Sequence, residues 1–231
     1  MRLRAGLMAV GLLVLGVQPG FAASPPAPTA AQPAPAPGAA GTAADGAQVD
    51  LLPADLGVAA YGYVVPHQPN FVTALGWADV RWLHVEGRYN YEALHTGSVF
   101  VGMRAAWSSL VRLKVTPMLG GTFGDVVGLV PAVRFSLGWW KLDLCNESEL
   151  VVDLHGVSGS FFYTWTELGL SPLPWLRVGA AMERDQIIQN SLIVQRGPFA
   201  GVTSRFVSFT LYAFNVGWTF PTFVLAASAT F

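Results

Sequence analysis

Hydrophobic and polar residues alternate along most of the second half of the chain. In residues 81–92 the even positions are mainly polar or charged, as at Glu86 and Arg88, whereas odd positions include Val85 and Tyr89. The same two-residue period returns repeatedly as far as the C-terminus. Because successive side chains of a β-strand point to opposite faces, this period predicts strands with one charged face and one apolar face.

The alternation predicts about ten antiparallel strands, joined in turn by tight turns and by longer loops. A meander of this kind is typical of a barrel that spans a membrane. Residues 47–76 have two interpretations. They form a periplasmic lead-in to the barrel, or they contain two further strands at 58–65 and 71–76, which would bring the number of strands to twelve. Pro117 and Pro131 fall inside predicted strands, where we expect bulges or shorter strands. The ten predicted strands are 77–91, 98–107, 110–122, 128–138, 141–153, 160–171, 175–187, 192–204, 205–216 and 221–231.

Composition decides which face of the strands points inward. Only 12% of the residues are charged, about half of the roughly 25% found in soluble domains. A soluble, lipocalin-like barrel would turn its apolar face inward and would leave an aggregation-prone surface with about one charge per strand. The sequence therefore favours an all-β fold, a transmembrane, antiparallel, up-and-down barrel over 77–231. Its apolar face meets lipid, and its sparse charges fill a narrow lumen.

Aromatic residues near the predicted strand ends fit this arrangement, because aromatic girdles mark the two interfaces of a membrane barrel. The predicted girdle residues are Tyr89, Tyr91, Trp107, Phe123, Trp139, Trp175 and Trp218.

The N-terminal residues predict export. Arg2 and Arg4 precede an apolar run, and small residues follow around Ala22, so we expect a signal peptide over 1–22 that is cleaved. Residues 23–46 are almost entirely Ala, Pro, Gly, Ser and Thr, which predicts a disordered linker. Loss of the two arginines leaves 11 basic against 14 acidic residues, a net charge of −3. Nucleic acid is therefore excluded as a partner.

The C-terminal segment from Phe223 to Phe231 has apolar residues at alternate positions and ends on an aromatic side chain. With the leader and the alternating body, it resembles bacterial outer-membrane β-barrel proteins, as do the stretches at 88–92 and 159–165. The resemblance implies a location in the bacterial outer membrane, contact with its lipid, and recognition of Phe231 by the barrel assembly machinery. It implies no cofactor and carries over no activity.

Charged residues on the polar face are assigned to the lumen. Those of the first four predicted strands are mainly basic and those of the next three mainly acidic, so opposite charges face each other across a barrel of eight to twelve strands. If they pair, they form a salt-bridged plug; if they stay apart, they create a transverse field that selects small zwitterionic or dipolar solutes. The predicted lumen charges are Glu86, Arg88, Arg104, Arg112, Lys114, Arg134, Lys141, Asp143, Glu147, Glu149, Glu167, Arg177 and Glu183.

Three functions remain open at this point. The first is a narrow channel or transporter for small solutes, and the second is a non-conducting structural barrel that serves as an envelope anchor or partner platform. The third is a barrel enzyme acting on lipid or peptide. Its candidate residues share one predicted outer loop, which lacks the final glycine of a nucleophile elbow, so we expect a polar loop and no enzyme. These candidates are Asp153, His155, Ser158 and Ser160.

Two further residues could bind a metal or form a disulfide. His84 lies beside Glu86 on one strand face, but no third ligand accompanies them, so we expect a paired luminal histidine and no metal. Cys145 is the single cysteine, so it has no partner for an intrachain disulfide, and we expect it to be a small filler residue.

Overall fold

The structure, a computed structural model, is an antiparallel β-barrel closed by pairing of its first and last strands. Within the described part of the chain, no helix is long and apolar enough to cross a membrane. The predicted signal peptide and linker lie outside the described residues. Those residues are 55–66, 68–156, 159–187, 192–218 and 221–231.

The strands follow one another around the barrel in sequence order. Two consecutive pieces, β4 and β5, pair with β6 in one continuous register and are separated only at Arg104, so they act as one strand. The barrel therefore has twelve strands around its circumference. The strands are β1 (Asp55–Val64), β2 (Phe71–Val80), β3 (Leu83–Tyr89), β4 (Thr96–Met103), β5 (Ala105–Ser108), β6 (Arg112–Gly124), β7 (Gly128–Trp139), β8 (Leu142–Asp153), β9 (Phe161–Leu173), β10 (Leu176–Ile187), β11 (Leu192–Ser204), β12 (Val207–Phe214) and β13 (Thr222–Thr230).

Tight turns lie at one end of the barrel, which we call the turn end, together with the start of β1 and the end of β13. The turns that join the strands there are 81–82, 109–111, 140–141, 174–175 and 205–206. The opposite end, the loop end, carries mostly longer connections. This alternation of short and long connections confirms the meander predicted from the sequence.

The predicted first strand, 77–91, is wrong. It contains the end of β2, a two-residue turn at Arg81 and Trp82, and all of β3. Arg81 takes a left-handed backbone conformation (φ 54°), which only glycine, asparagine and aspartate commonly adopt. The sequence therefore has no typical turn residue where the chain reverses direction. The two extra strands considered at 58–65 and 71–76 correspond to β1 and β2, and the barrel has twelve strands instead of ten.

The prolines are accommodated without the expected bulges or shortened strands. Pro117 faces Val133 and Pro131 faces Leu119 in an unbroken β6–β7 register. Along β7 and β8, pairing is interrupted at Pro131 and resumes in the same register. A missing N–H donor therefore removes a local hydrogen bond but does not shift the strands.

Burial alternates along the strands, with charged side chains inward and apolar ones outward. On β9, for example, Trp165 and Glu167 are buried, whereas Leu168 and Leu170 are exposed on the outer surface. The buried apolar cluster lies inside the barrel and is rich in aromatic residues, among them Tyr61, Phe100 and Phe214. Compared with a soluble barrel, the two faces of the strands are exchanged: the charged face points inward and the apolar face points outward, as the low charge content predicts.

Several inward aromatic rings lie flat over a glycine directly opposite on the neighbouring strand. Trp77 covers Gly57, Phe100 covers Gly120 and Phe199 covers Gly179. Such pairs fix strand register and fill the space that glycine leaves.

We expect Gly120→Val to lower the free energy of unfolding by about 1–3 kcal/mol, the usual cost of overpacking. A Cβ atom on Gly120 would lie 2.4 Å from the Phe100 ring, which is fully buried and packs against the Arg88 guanidinium. The matched control is Gly121→Val on the outer face, where the nearest atom is 3.7 Å away. Urea unfolding of the folded barrel measures both values, and an equal loss in the two variants would contradict this packing.

Candidate functional site

The lumen is divided into a partly exposed half and a buried half. Toward the turn end the inward residues are mainly small or polar and partly exposed, and we call this region the vestibule; it includes Lys114, Ser136, Thr203, Thr210 and Ser228. Toward the loop end, the inward aromatic residues are almost completely buried. Water therefore reaches the lumen from the turn end.

A network of six charged residues crosses the middle of the lumen. Arg88 on β3 donates to Glu147 (2.7 Å) and Glu149 (2.9 Å), both on β8. Arg134 on β7 donates to Glu147 (2.8 Å) and back to Glu86 on β3 (3.1 Å). The bonds between β3 and β7 or β8 join strands that are not neighbours in the sheet, whereas Arg134 and Glu147 are cross-strand partners on adjacent strands. We call the set Glu86, Arg88, Glu92, Arg134, Glu147 and Glu149 the central ion network.

Arg88 is the centre of this network. Its guanidinium also donates to Glu86 (2.5 Å) and to Glu92 (3.3 Å), so one buried cation serves four carboxylates. Its planar faces lie 4.2 Å from the ring centroid of Tyr91 and 4.1 Å from that of Phe100. Hydrogen bonds from all three guanidinium nitrogens combined with ring stacking suit arginine and not lysine. Tyr91, predicted as a girdle residue, instead points inward and is fully buried.

A second group lies closer to the turn end. His84 contacts Asp79 through Nδ1 (2.6 Å) and Glu86 through Nε2 (3.1 Å). Arg104 lies 3.2 Å from Asp79 and 3.5 Å from Asp55. The expectation of a paired luminal histidine matches this geometry, and the histidine links this group to the central ion network.

A third group lies on the wall formed by β8, β9 and β10. Arg177 contacts both Asp143 and Glu167. Glu167 additionally accepts hydrogen bonds from Trp165 Nε1 (2.9 Å) and from the Tyr212 hydroxyl (2.7 Å). Both oxygens of this buried carboxylate therefore accept hydrogen bonds, which offsets its desolvation.

The thirteen predicted lumen charges do not all occupy the same kind of position. Nine of them enter the ion-paired groups described above, and Lys114 points inward in the vestibule without a salt bridge among the described residues. Glu183 is buried, and no arginine of the described part of the chain pairs with it. Arg112 lies at the rim and is exposed. Lys141 is not luminal, because the turn occupies both Trp140 and Lys141, and its Nζ donates to the carbonyl of Pro172 (2.9 Å).

Sequence reasoning missed four acidic residues of the lumen: Asp55, Asp79, Glu92 and Asp185. Asp79 was missed because the unrecognised turn reverses the parity between β2 and β3. Asp185, by contrast, follows Glu183 by two residues on one strand face, so the two-residue period could have found it.

The candidate catalytic loop has no triad geometry among its described residues; Ser158 lies outside them. Ser160 Oγ accepts a hydrogen bond from the Asp153 N–H (3.0 Å), and the His155 side chain is exposed to solvent 3.6 Å from Asp153. Cys145 is a buried, free cysteine on the inner face. Among the described residues, no group of three or more His, Cys, Asp or Glu side chains is arranged to hold a metal ion.

Similar solved structures identify the fold. A KdgM porin superposes with a TM-score of 0.52 at 10% sequence identity, covering 76% of this chain and 99% of the porin. The chain has the fold of an outer-membrane β-barrel. The Acinetobacter baumannii outer membrane protein Omp33 superposes with a TM-score of 0.43 at 14% identity, covering 77% of this chain and 98% of Omp33. Comparison with protein-family models and with curated proteins gives no match.

Proposed function

We propose that the protein is a narrow channel for small solutes in the bacterial outer membrane, closed in the state described here by the central ion network. The observation that carries this proposal is the ion-paired crossing of the lumen between β3, β7 and β8. Side chains that meet by hydrogen bonds can separate into water, whereas a packed apolar core cannot do so without loss. The vestibule brings water to the turn-end side of this crossing.

The outer surface supports a membrane location. Leucine and valine side chains on the outer face are more than half exposed on strands all around the barrel, including Val58, Val99, Leu168, Leu211 and Leu225. In water this surface would aggregate, whereas in lipid it is the apolar band that a transmembrane barrel requires.

Exposed aromatic residues mark both ends of this band. Trp82, Trp140 and Trp175 lie in the tight turns, and Phe123 and Trp218 lie at the loop end. Side chains of this kind settle at the membrane interfaces. The proposed partners are therefore outer-membrane lipid and, through the strand that ends at Phe231, the barrel assembly machinery.

Single-channel recording in a planar bilayer tests the channel. We expect the folded barrel to be closed most of the time, with small, brief openings. In Arg134→Ala, the Glu86 and Glu147 carboxylates lose one of the two cations that they share, and their mutual repulsion is less well compensated. We therefore expect the open fraction to rise about tenfold or more, equivalent to roughly 1.4 kcal/mol less stabilisation of the closed state.

The control for this experiment is Arg112→Ala, because Arg112 is exposed at the rim and forms no salt bridge among the described residues. It should behave like the unmodified protein. If Arg134→Ala folds but stays as silent as both of these proteins, the channel proposal fails.

A silent barrel would support the second candidate, a non-conducting structural barrel that anchors or organises the envelope. The observation that favours it is the buried aromatic packing of the loop half, where Trp165 packs edge-on against Tyr212 and Phe214 at 5.2 and 5.3 Å. Both candidates are non-enzymatic, and neither requires a cofactor.

A further inference from the structure

Two buried carboxylates of the lumen have no cationic partner. Eight aspartate and glutamate side chains are buried among the described residues, and six of them contact an arginine. The exceptions are Glu183 and Asp185 on β10, each only 1% exposed. Among the described residues, no hydrogen-bond donor reaches either oxygen of Glu183 or the Oδ1 atom of Asp185.

The neighbouring inward residue on β11 adds a further acceptor. Gln195 is the direct cross-strand partner of Glu183, and its Oε1 atom is likewise buried without a hydrogen-bond donor. Four acceptor oxygens thus lie on two adjacent strands, and Glu183 and Asp185 are two residues apart on the same buried face of β10. Burying such oxygens without a donor or a cation is costly.

We propose that Glu183, Asp185 and Gln195 bind a hard divalent cation of the Ca²⁺ type near the loop end of the lumen. Carboxylate and amide oxygens are the ligands that such cations prefer, and a bound ion would compensate the negative charges that no arginine meets. Asp185 lies two residues from the end of β10, so the ion would enter from the loop side.

The site should be weak. Two carboxylates and one amide supply only part of the roughly six to eight oxygens that surround Ca²⁺, and affinity for Ca²⁺ rises with the number of charged ligands. We expect a dissociation constant of about 10⁻⁴ to 10⁻³ M, the range of weak extracellular sites. The inference is independent of conduction, because the folded barrel can bind the ion whether or not it forms a channel.

Terbium luminescence tests the site directly, because Tb³⁺ replaces Ca²⁺ at oxygen sites and emits when a nearby tyrosine or tryptophan is excited. Trp165 is the cross-strand partner of Glu183, and Tyr163 that of Asp185. We expect saturable emission from the folded barrel in neutral detergent, and we expect Ca²⁺ to suppress it by competition.

In Glu183→Gln/Asp185→Asn, binding of Tb³⁺ and Ca²⁺ should weaken at least about tenfold, the effect of losing roughly 1.4 kcal/mol or more of binding energy. Both substitutions keep the shape and remove a buried charge, so the barrel should still fold, as migration on an unheated gel would show. The control is Asp125→Asn in an exposed loop at the same end, which should bind as the unmodified protein does. Emission that persists in the double variant, or the absence of any emission suppressed by Ca²⁺, would overturn the proposal.

As a second measurement, Ca²⁺ should raise the unfolding midpoint of the unmodified barrel relative to sodium at equal ionic strength, because an ion that binds only the folded state stabilises it. The double variant should show no such rise. An equal rise in both proteins would assign the effect to lipid, detergent or general screening and would contradict the site. A proton shared between the two carboxyl groups, in place of the ion, would give neither emission nor a rise.

Discussion

Replacing Arg88 with methionine is expected to lower the free energy of unfolding by about 3–5 kcal/mol, the cost of breaking a buried ion pair from one side. Arg88 bonds four carboxylates and stacks between Tyr91 and Phe100. Methionine keeps much of the volume of arginine. It carries no charge and donates no hydrogen bond, so Glu147 and Glu149 lose their bonds to residue 88. Equilibrium unfolding in urea, with the barrel in lipid vesicles, measures the loss.

Two comparisons separate lost charge from lost packing. Arg112→Met at the rim should change stability by less than about 0.5 kcal/mol, as ordinary surface substitutions do. Adding Glu149→Gln to Arg88→Met should recover part of the loss, because one unpaired carboxylate is removed and the two sites are coupled. If Arg88→Met costs no more than Arg112→Met, the central ion network does not stabilise the barrel.

The sequence predicted the faces of the barrel well, because each face has a distinct chemistry. Leu168 and Leu170 alternate with Trp165 and Glu167 on β9, and a chain with so few charges can place most of the charges on its strands in the lumen. This prediction needs only the period of a strand and the charge content, both of which are local properties.

The number of strands was harder to predict, because the turn at Arg81 and Trp82 has no turn-forming residue. Across this turn the inward polar positions change from odd at Asp79 to even at His84 and Glu86, but no glycine, proline or asparagine marks the change as a turn. The barrel's closure supplies the missing information: β1 requires a partner on each side, and β2 and β13 provide them.

The partners of the lumen charges could not be predicted at all. Arg88 and Glu147 are 59 residues apart, and their meeting depends on strand tilt and on the register of every intervening strand. The two-residue period shows that a side chain points inward, but it does not show where along the barrel axis that side chain lies. For the same reason, the sequence placed Glu183 among the lumen charges without showing that it lacks an arginine.

Replacing Leu168 with arginine is expected to cost about 2–4 kcal/mol of stability in lipid, the penalty for a charge at the middle of the lipid-facing surface. Leu168 lies on the outer face near the centre of β9 and is 56% exposed. Lipid cannot solvate the guanidinium there as water would. The matched control is Leu110→Arg in a tight turn, where the side chain is 83% exposed and the penalty should fall to about 0–1 kcal/mol, as near an interface.

The same pair of variants tests the central claim most directly, namely that the apolar face of this barrel meets lipid and the charges lie inside. The measurement is the free energy of unfolding of Leu168→Arg and Leu110→Arg from lipid vesicles. The account predicts that Leu168→Arg loses at least about 2 kcal/mol and that Leu110→Arg loses much less. Equal, near-zero effects at both positions would show that the outer face of β9 is in water, and would contradict the account.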